Sequence, residues 1–394
     1  MRKIFLYFGS IIVSFGVSMP VTASDITFAT FNVSMEAQNY LAKGDPASNT
    51  ALATLLQNGE HKQIRNIAHI IQLIRPDILL LNEFDYIQDP KQGVQAFIKH
   101  YLNQGQGDAK AIDYPYFYYN TVNTGQPSSF DLDNDGKATD IAADAWGFGF
   151  YPGQYGMVLL SKYPIQTSRI RTFQHFKWKD MPNFMSIQKA DASPWYSKEA
   201  WQLFPLSSKT HWDIPITIAK KTVHILASHP TPPVFDGPER RNAKRNHDEI
   251  RFWLDYISDD KASYIYDDNG NVGGLRPNSR FVIMGDLNAS VDKEGDAIHS
   301  AITNLVQHEK VNNSLVPQSR GGAEQTPGNP FAAFHTATWR MRADYVLPSK
   351  FGFNLKQSGI FWPAKNEVGY QLVSSRKASS DHRLVWLKLA LNQD

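Results

Sequence analysis

The chain has 394 residues, 42% of them hydrophobic and 12% aromatic, with a formal charge of +2. That supplies a sizeable core but no polyanion-binding field, so any grip on phosphate or nucleic acid must come from local clusters. Cysteine is absent, which excludes disulfides and thiolate metal sites and leaves Asp, Glu, His and Asn as ligands. Such donors suit Mg²⁺, Mn²⁺ or Ca²⁺ more than structural zinc.

The chain opens with the pattern of a signal peptide. Arg2 and Lys3 precede an apolar run from Ile4 to Val17, and Val21 and Ala23 hold the small-residue positions for cleavage after Ala23. Cleavage after Ser24 is the near alternative, and an uncleaved anchor the remote one. The run is short for a membrane span and ends at Pro20. The expectation is a signal peptide over residues 1–23 and one mature domain over 24–394, secreted or periplasmic, without a transmembrane segment. Loss of Arg2 and Lys3, with no acidic residue before Asp25, takes the formal charge from +2 to about 0.

Strand-length apolar runs follow at Ile26–Val33, Ile78–Leu81, Met157–Leu160, Val223–Ala227, Phe281–Met284, Tyr345–Leu347 and Leu384–Leu389. A helix is predicted from about His61 to Ile74, with Ile64, Ile67, Ala68, Ile71 and Ile74 on one stripe and Pro76 as its stop. A second is predicted from about Asn242 to Ile257. Strands mixed with helices imply an α/β or α+β layered domain. Loop-rich insertions are read over residues 35–58, 87–152 and 173–212, the last carrying Trp178, Trp195, Trp201 and Trp212. These tryptophans suit either an apolar rim for substrate or ordinary packing.

The chemistry gathers at strand ends. Asn32 closes the first run, Asn82 and Glu83 the second, His229 follows the fourth, and Asp286 with Asn288 the fifth. Asp344 and the pair Asp381–His382 precede the last two. Residues just outside a β-core converge on one crevice when their strands are neighbours. Carboxylates, amides and two histidines there could hold one or two divalent cations and activate a water. Taken singly, each is more often a turn residue or helix cap.

In this order the segments Thr30–Asn32, Leu81–Glu83, Leu159–Ile165, Ser228–Pro230, Gly285–Asn288, Ala343–Leu347 and Ser379–Arg383 resemble the endonuclease/exonuclease/phosphatase superfamily, which includes deoxyribonuclease I. The resemblance implies a four-layer sandwich: two packed mixed β-sheets flanked by helices. It implies Glu83 as the metal-binding glutamate with Asn32 beside it, and Asp286 and Asn288 as the pair that orients the attacking water. Asp381 would orient a histidine or bind metal, His382 would take a proton from water or contact phosphate, and Asp344 would contact phosphate. The Ser-His-Pro loop at His229 is similar to the deoxyribonuclease I and bacterial sphingomyelinase branches, where that histidine serves the leaving oxygen.

Three further features stand beside these. Arg240, Arg241, Lys244 and Arg245 open the second predicted helix and read either as substrate contacts or as a solvated face. Asp131, Asp133, Asp135 and Gly136 match the first half of a Ca²⁺ loop, but Ala142 stands where the closing Glu belongs. A structural Ca²⁺ completed by Asp140 or Asp144, or a polar turn, are the alternatives. Tyr155 either lines the site or packs in the core. The expected function is an exported phosphodiesterase or nuclease dependent on Mg²⁺ or Mn²⁺. A phosphomonoesterase or phospholipase-type hydrolase is the alternative, and a non-catalytic binding protein on the same fold the remote one.

Overall fold

The computed structural model describes residues 25–42 and 44–392; the expected signal peptide lies outside them. The strands are β1 (Ile26–Met35), β2 (Ile78–Phe84), β3 (Tyr116–Tyr119), β4 (Met157–Ser161), β5 (Arg171–Thr172), β6 (His211–Ile218), β7 (Lys221–Ser228), β8 (Arg280–Asp286), β9 (Asp344–Pro348), β10 (Phe353–Ile360) and β11 (Val385–Leu391). The helices are α1 (Thr50–Asn58), α2 (Lys62–Ile74), α3 (Val94–Phe97), α4 (Lys198–Leu203), α5 (Arg241–Ile257), α6 (Ser300–Val306) and α7 (Arg320–Gln325). Two mixed sheets result, in the orders β10-β11-β1-β2-β4-β3 and β5-β6-β7-β8-β9. They pack face to face, with residues of both in one hydrophobic core. Helices α1 and α2 cover the first sheet, and α5 and α6 the second. This is the four-layer α/β sandwich the resemblance implies.

Helix α2 shows why the outer layers hold. Ile64, Ile67, Ala68 and Ile71 are fully buried on its inner face, and Ile70 beside them. Each buried isoleucine contributes about 1.5–3 kcal/mol, so a single Asp at Ile67 would detach the helix. The helix ends where Arg75 turns left-handed at φ +53° and donates its N–H to Ile71. Pro76 then prevents continuation.

The expected loop insertions hold more structure than composition suggested. Residues 35–58 contain α1, which buries Leu52 and Leu56. Residues 87–152 contain α3 and the edge strand β3. Residues 173–212 contain α4 and run into β6. Their tryptophans pack rather than form a rim: Trp178 and Trp212 are buried, and the Trp178 and Trp195 indoles donate to Asp248 and to the Leu132 carbonyl. Among the described residues, no helix is long and apolar enough to cross a membrane.

Register delivers the site. Strands β1 and β2 run parallel with Asn32 opposite Asn82. Strands β7 and β8 run parallel with Ala227 opposite Met284, which brings His229 beside Asp286 two residues on. Antiparallel β9 sets Asp344 opposite Asp286. The C-terminal ends of the parallel strands and the N-terminal ends of β9 and β11 therefore share one edge of the sandwich.

Candidate active site

Asp286 is the centre of the cluster. It is 1% exposed. Its Oδ2 accepts from Asn32 Nδ2 at 3.1 Å across the two sheets, and its Oδ1 accepts the Asn288 N–H at 3.0 Å. Asn82 Oδ1 accepts the Asp286 N–H at 3.3 Å. Two imidazoles reach the same carboxylate oxygen: His382 Nε2 lies 3.4 Å and His229 Nε2 3.5 Å from Oδ2. The close approach of β7 and β8 requires Gly285, because a Cβ there would lie 2.0 Å from the Ser228 carbonyl. Glu83 and Asn288 take left-handed φ values of +55° and +52°, which turn both side chains out of the strand direction at a cost of about 1–3 kcal/mol where no glycine relieves it.

The histidines differ in what holds them. His382 Nδ1 lies 2.8 Å from Asp344 Oδ2, and Thr336 donates to the same oxygen at 2.6 Å. Burial alone would lower the His382 pKa, but the Asp344 and Asp286 carboxylates raise it to about 10. Burial raises that of Asp286, against the pull of His382. His229 is equally buried, yet neither ring nitrogen has a hydrogen-bond partner. Burial, then the charges of Lys209 and His382, hold its pKa well below the usual range.

Other residues surround this centre. Asp381 does not touch the His382 ring; it accepts from the Ser34 hydroxyl at 2.9 Å and lies 3.6 Å from Arg376. Asn32 Oδ1 accepts the Ser34 N–H at 3.1 Å. Glu83 is half-buried, and its side chain makes no hydrogen bond or ion pair among the described residues. Glu36, buried and held by Gln154 Nε2 at 2.8 Å, lies near it, as does Tyr155. The Tyr155 N–H is fixed by Asp85 at 3.0 Å, so this tyrosine stands on the acidic side of the crevice. Trp339, 46% exposed, sets its ring 4.6 Å from that of His382, edge to face.

The three arginines at the start of α5 are engaged within the protein. Arg245 is buried, and its guanidinium donates to the carbonyls of Leu206, Trp146 and Pro205 at 2.8–3.0 Å while stacking on Phe204. Arg241 pairs with Glu239 and stacks on Trp195, and Arg240 donates to the Asp296 carbonyl. Asp236 caps the helix by accepting the N–H groups of Asn242 and Ala243 at 2.8 and 2.9 Å, which closes it to a phosphate. The half Ca²⁺ loop gathers Asp131, Asp133 and buried Asp144 within 4.8 Å, while Asp135 stays outside that cluster and accepts the Lys137 N–H.

A cavity of about 660 Å³ lies at the far end of the second sheet beside Arg171, His224 and Arg280. None of the strand-end residues lines it. The strand-end cluster and this hollow are therefore separate features of the fold.

The profile of the Endonuclease/Exonuclease/phosphatase family matches residues 29–382. That match runs from β1 to His382. The chain belongs to this family. As a family member it shares its fold with an endonuclease/exonuclease/phosphatase from Beutenbergia cavernae DSM 12333, at 15% identity and a TM-score of 0.52 over 93% of this chain and 72% of that one. The beta toxin of Staphylococcus aureus, in a crystal structure with bound magnesium ions, is similar at 14% identity and a TM-score of 0.45 over 94% and 100%. Sphingomyelinase C from Streptomyces griseocarneus gives 14%, 0.45, 94% and 100%. No curated protein matches the chain in sequence.

Besides the Asp131–Asp133–Asp144 group of the half Ca²⁺ loop, two places at the crevice could receive a cation. Asp286, Asp344 and His382 offer ligand atoms within 4.8 Å of one another. There, however, both ring nitrogens already face carboxylates, so a cation would have to displace the imidazole proton. Glu83 offers a carboxylate with no ion-pair partner among the described residues, in the field of Glu36 and next to the Asn32–Asn82 step of the β1–β2 ladder, and oxygen donors of this kind would suit a hard divalent ion.

Proposed function

We propose that this family member is an exported phosphoester hydrolase, a phosphodiesterase of nuclease type dependent on Mg²⁺ or Mn²⁺. One observation carries the reading: His229 and His382 approach a single Asp286 oxygen at 3.5 and 3.4 Å. A water held there has a base, and a phosphate beside it has two imidazoles to contact. Glu83 would hold the cation, with Asn32 and Asp381 as further ligands, and the bound ion would supply positive charge against the phosphate. Asp286 and Asn288 orient the water, and Asp286 accepts its proton. His382, fixed by Asp344, donates to a phosphate oxygen. His229, with no hydrogen-bond partner inside the protein, donates to the leaving oxygen.

The second reading, a phospholipase-type or phosphomonoester hydrolase, draws on the loop just after His229, where Phe235 is 93% and Val234 36% exposed. An apolar lip of that kind suits a lipid chain. Hydrolysis of plasmid DNA, bis-(p-nitrophenyl) phosphate and p-nitrophenyl phosphate with Mg²⁺, with Mn²⁺ and after EDTA separates the two. The nuclease reading requires cation-dependent nicking that is lost in His229→Ala and His382→Ala. Intact plasmid with cleavage of small esters or phospholipid would replace it, and no turnover on any substrate would favour a binding protein. Export is tested by the mass of the mature form: a start at residue 24 is expected, and a retained Met1 would overturn it.

A further inference from the structure

Among the described residues at the crevice, Lys209 is a buried cation without an ion-pair partner. Lys209 lies just before β6 and is 4% exposed. The ladder pairs His211 with Ser228, so the segment entering β6 runs beside the segment leaving β7 through His229. Glu249 ties the two together: its carboxylate accepts the Ser208 N–H and the Thr231 N–H, each at 2.6 Å. The Lys209 carbonyl accepts the Asn123 N–H at 2.9 Å. The main chain on both sides of this lysine is therefore fixed.

Its ammonium stands in the field of Glu249, Glu83 and Asp286, with Arg245 and His229 among its neighbours. Burial pulls its pKa down, and the three carboxylates oppose that pull. Among the described residues, none pairs with it, and it makes no side-chain hydrogen bond. A buried, unpaired charge costs several kcal/mol, and a four-carbon stem could reach a carboxylate if pairing were its role. Next to it, both nitrogens of His229 also lack hydrogen-bond partners. Two donors in one crevice thus lack the same thing, an acceptor-rich anion.

We propose that Lys209 is a further substrate-contacting residue, its ammonium holding a non-bridging oxygen of the substrate phosphate on the His229 side of the crevice. This rests on the phosphoester reading. The ammonium keeps its proton throughout; it adds a fixed positive charge where negative charge grows in the transition state. The segment Ser207–His211 gives no hint of this in sequence, since a lone lysine among serines and a threonine is ordinarily a solvated side chain.

The test uses the full mature protein and the variants Lys209→Met, Lys209→Gln and Lys209→Arg. Steady-state hydrolysis of bis-(p-nitrophenyl) phosphate is measured with Mg²⁺, and thermal unfolding is followed with and without inorganic phosphate. Lys209→Met is expected to lose about 10²-fold in kcat/KM. Its Tm should stay at or above that of the parent protein, because the charge removed has no partner to lose. The phosphate-induced rise in Tm should vanish, and Lys209→Arg should recover part of both effects. Lys209→Gln, smaller and polar, carries the same expectations if the methionine variant does not fold. Turnover within about threefold of the parent, or an unchanged phosphate-induced rise, overturns the proposal. So does a fall in Tm with normal turnover, the mark of a purely structural lysine. Phosphate binding needs no turnover, so the two ideas fail separately: an inactive parent with Lys209-dependent phosphate binding sinks only the hydrolase reading, and an active parent with an indifferent Lys209 sinks only this one.

Discussion

Two buried histidines sit side by side at the same end of the β6–β7 hairpin and meet opposite fates. His211 pairs with Ser228 in the ladder, and His229 follows one residue later. His211 faces α5, between Phe252 and Trp253. Its Nδ1 lies 2.5 Å from the Ser207 hydroxyl and its Nε2 2.9 Å from the Glu249 carbonyl. His229 faces the crevice, and neither nitrogen has a hydrogen-bond partner. Burial lowers the pKa of both, that of His211 to about 4. Burial and a displaced pKa thus fail to separate a structural ring from a reactive one. The count of unmet hydrogen bonds does separate them, because a buried polar atom without a partner costs stability unless a ligand supplies one.

The largest effect should come from exchanging the two rings' fates by mutation. His229→Ala is expected to lower kcat/KM by about 10³–10⁴-fold with no loss of stability in urea unfolding. His211→Ala should leave turnover per folded molecule within about twofold while losing about 2–4 kcal/mol of stability, from the cavity and two hydrogen bonds. The reverse pattern would end the comparison.

Next in size is a pH effect on stability. With its folded pKa depressed from 6.5 to about 4, His211 binds fewer protons folded than unfolded across that window. Its contribution is complete above pH 6.5 and is lost as pH falls towards 4, on the order of 3 kcal/mol in all. Unfolding free energies taken between pH 4 and 7 should show this slope, and His211→Asn should flatten it.

His382 sharpens the contrast as a third buried ring with one firm protein partner. Asp344→Asn, which keeps the shape but weakens that hold, should cost about 10–100-fold in kcat with a smaller change in KM. An unchanged kcat would show that His382 needs no orientation. The smallest effect is expected at Arg241, whose charge is spent on Glu239 and Trp195. Arg241→Ala should alter turnover by less than about twofold, and a loss beyond tenfold would restore this arginine to the substrate path.

Much of the fold was legible in the chain because burial on one face imposes a period. The isoleucine stripe of α2 follows that rule, while the apolar runs of β1, β2 and β8 stand out by being continuous, since both of their faces are buried. Four strands escaped it. β6 carries Pro215 and opens inside an aromatic insertion, β10 alternates with exposed polar residues such as Asn354 and Gln357, and β3 and β5 are short edge pieces. Their pairing comes from neighbours rather than from a local pattern. Among candidate site residues, the strand-end set is brought to one crevice, whereas the arginines of α5 are drawn away by carbonyls and carboxylates distant in sequence. Glu36, Lys209, Glu249 and Trp339 carry no local motif and emerge only when the crevice is assembled.

The sequence by itself determined which residue types stand at the strand ends and in what order, because strand periodicity and the glycine, proline and polar residues that end strands are local properties. It also determined that any metal site must be built of oxygen and nitrogen donors, since no cysteine is present. Only the tertiary structure decided which groups remain unpartnered. Asn32 meets Asp286 across 254 positions of chain, and His382 meets Asp344 across 38. Hydrogen bonds and ion pairs are short-range and directional, so a side chain's freedom to act depends on neighbours that only the folded packing brings within reach.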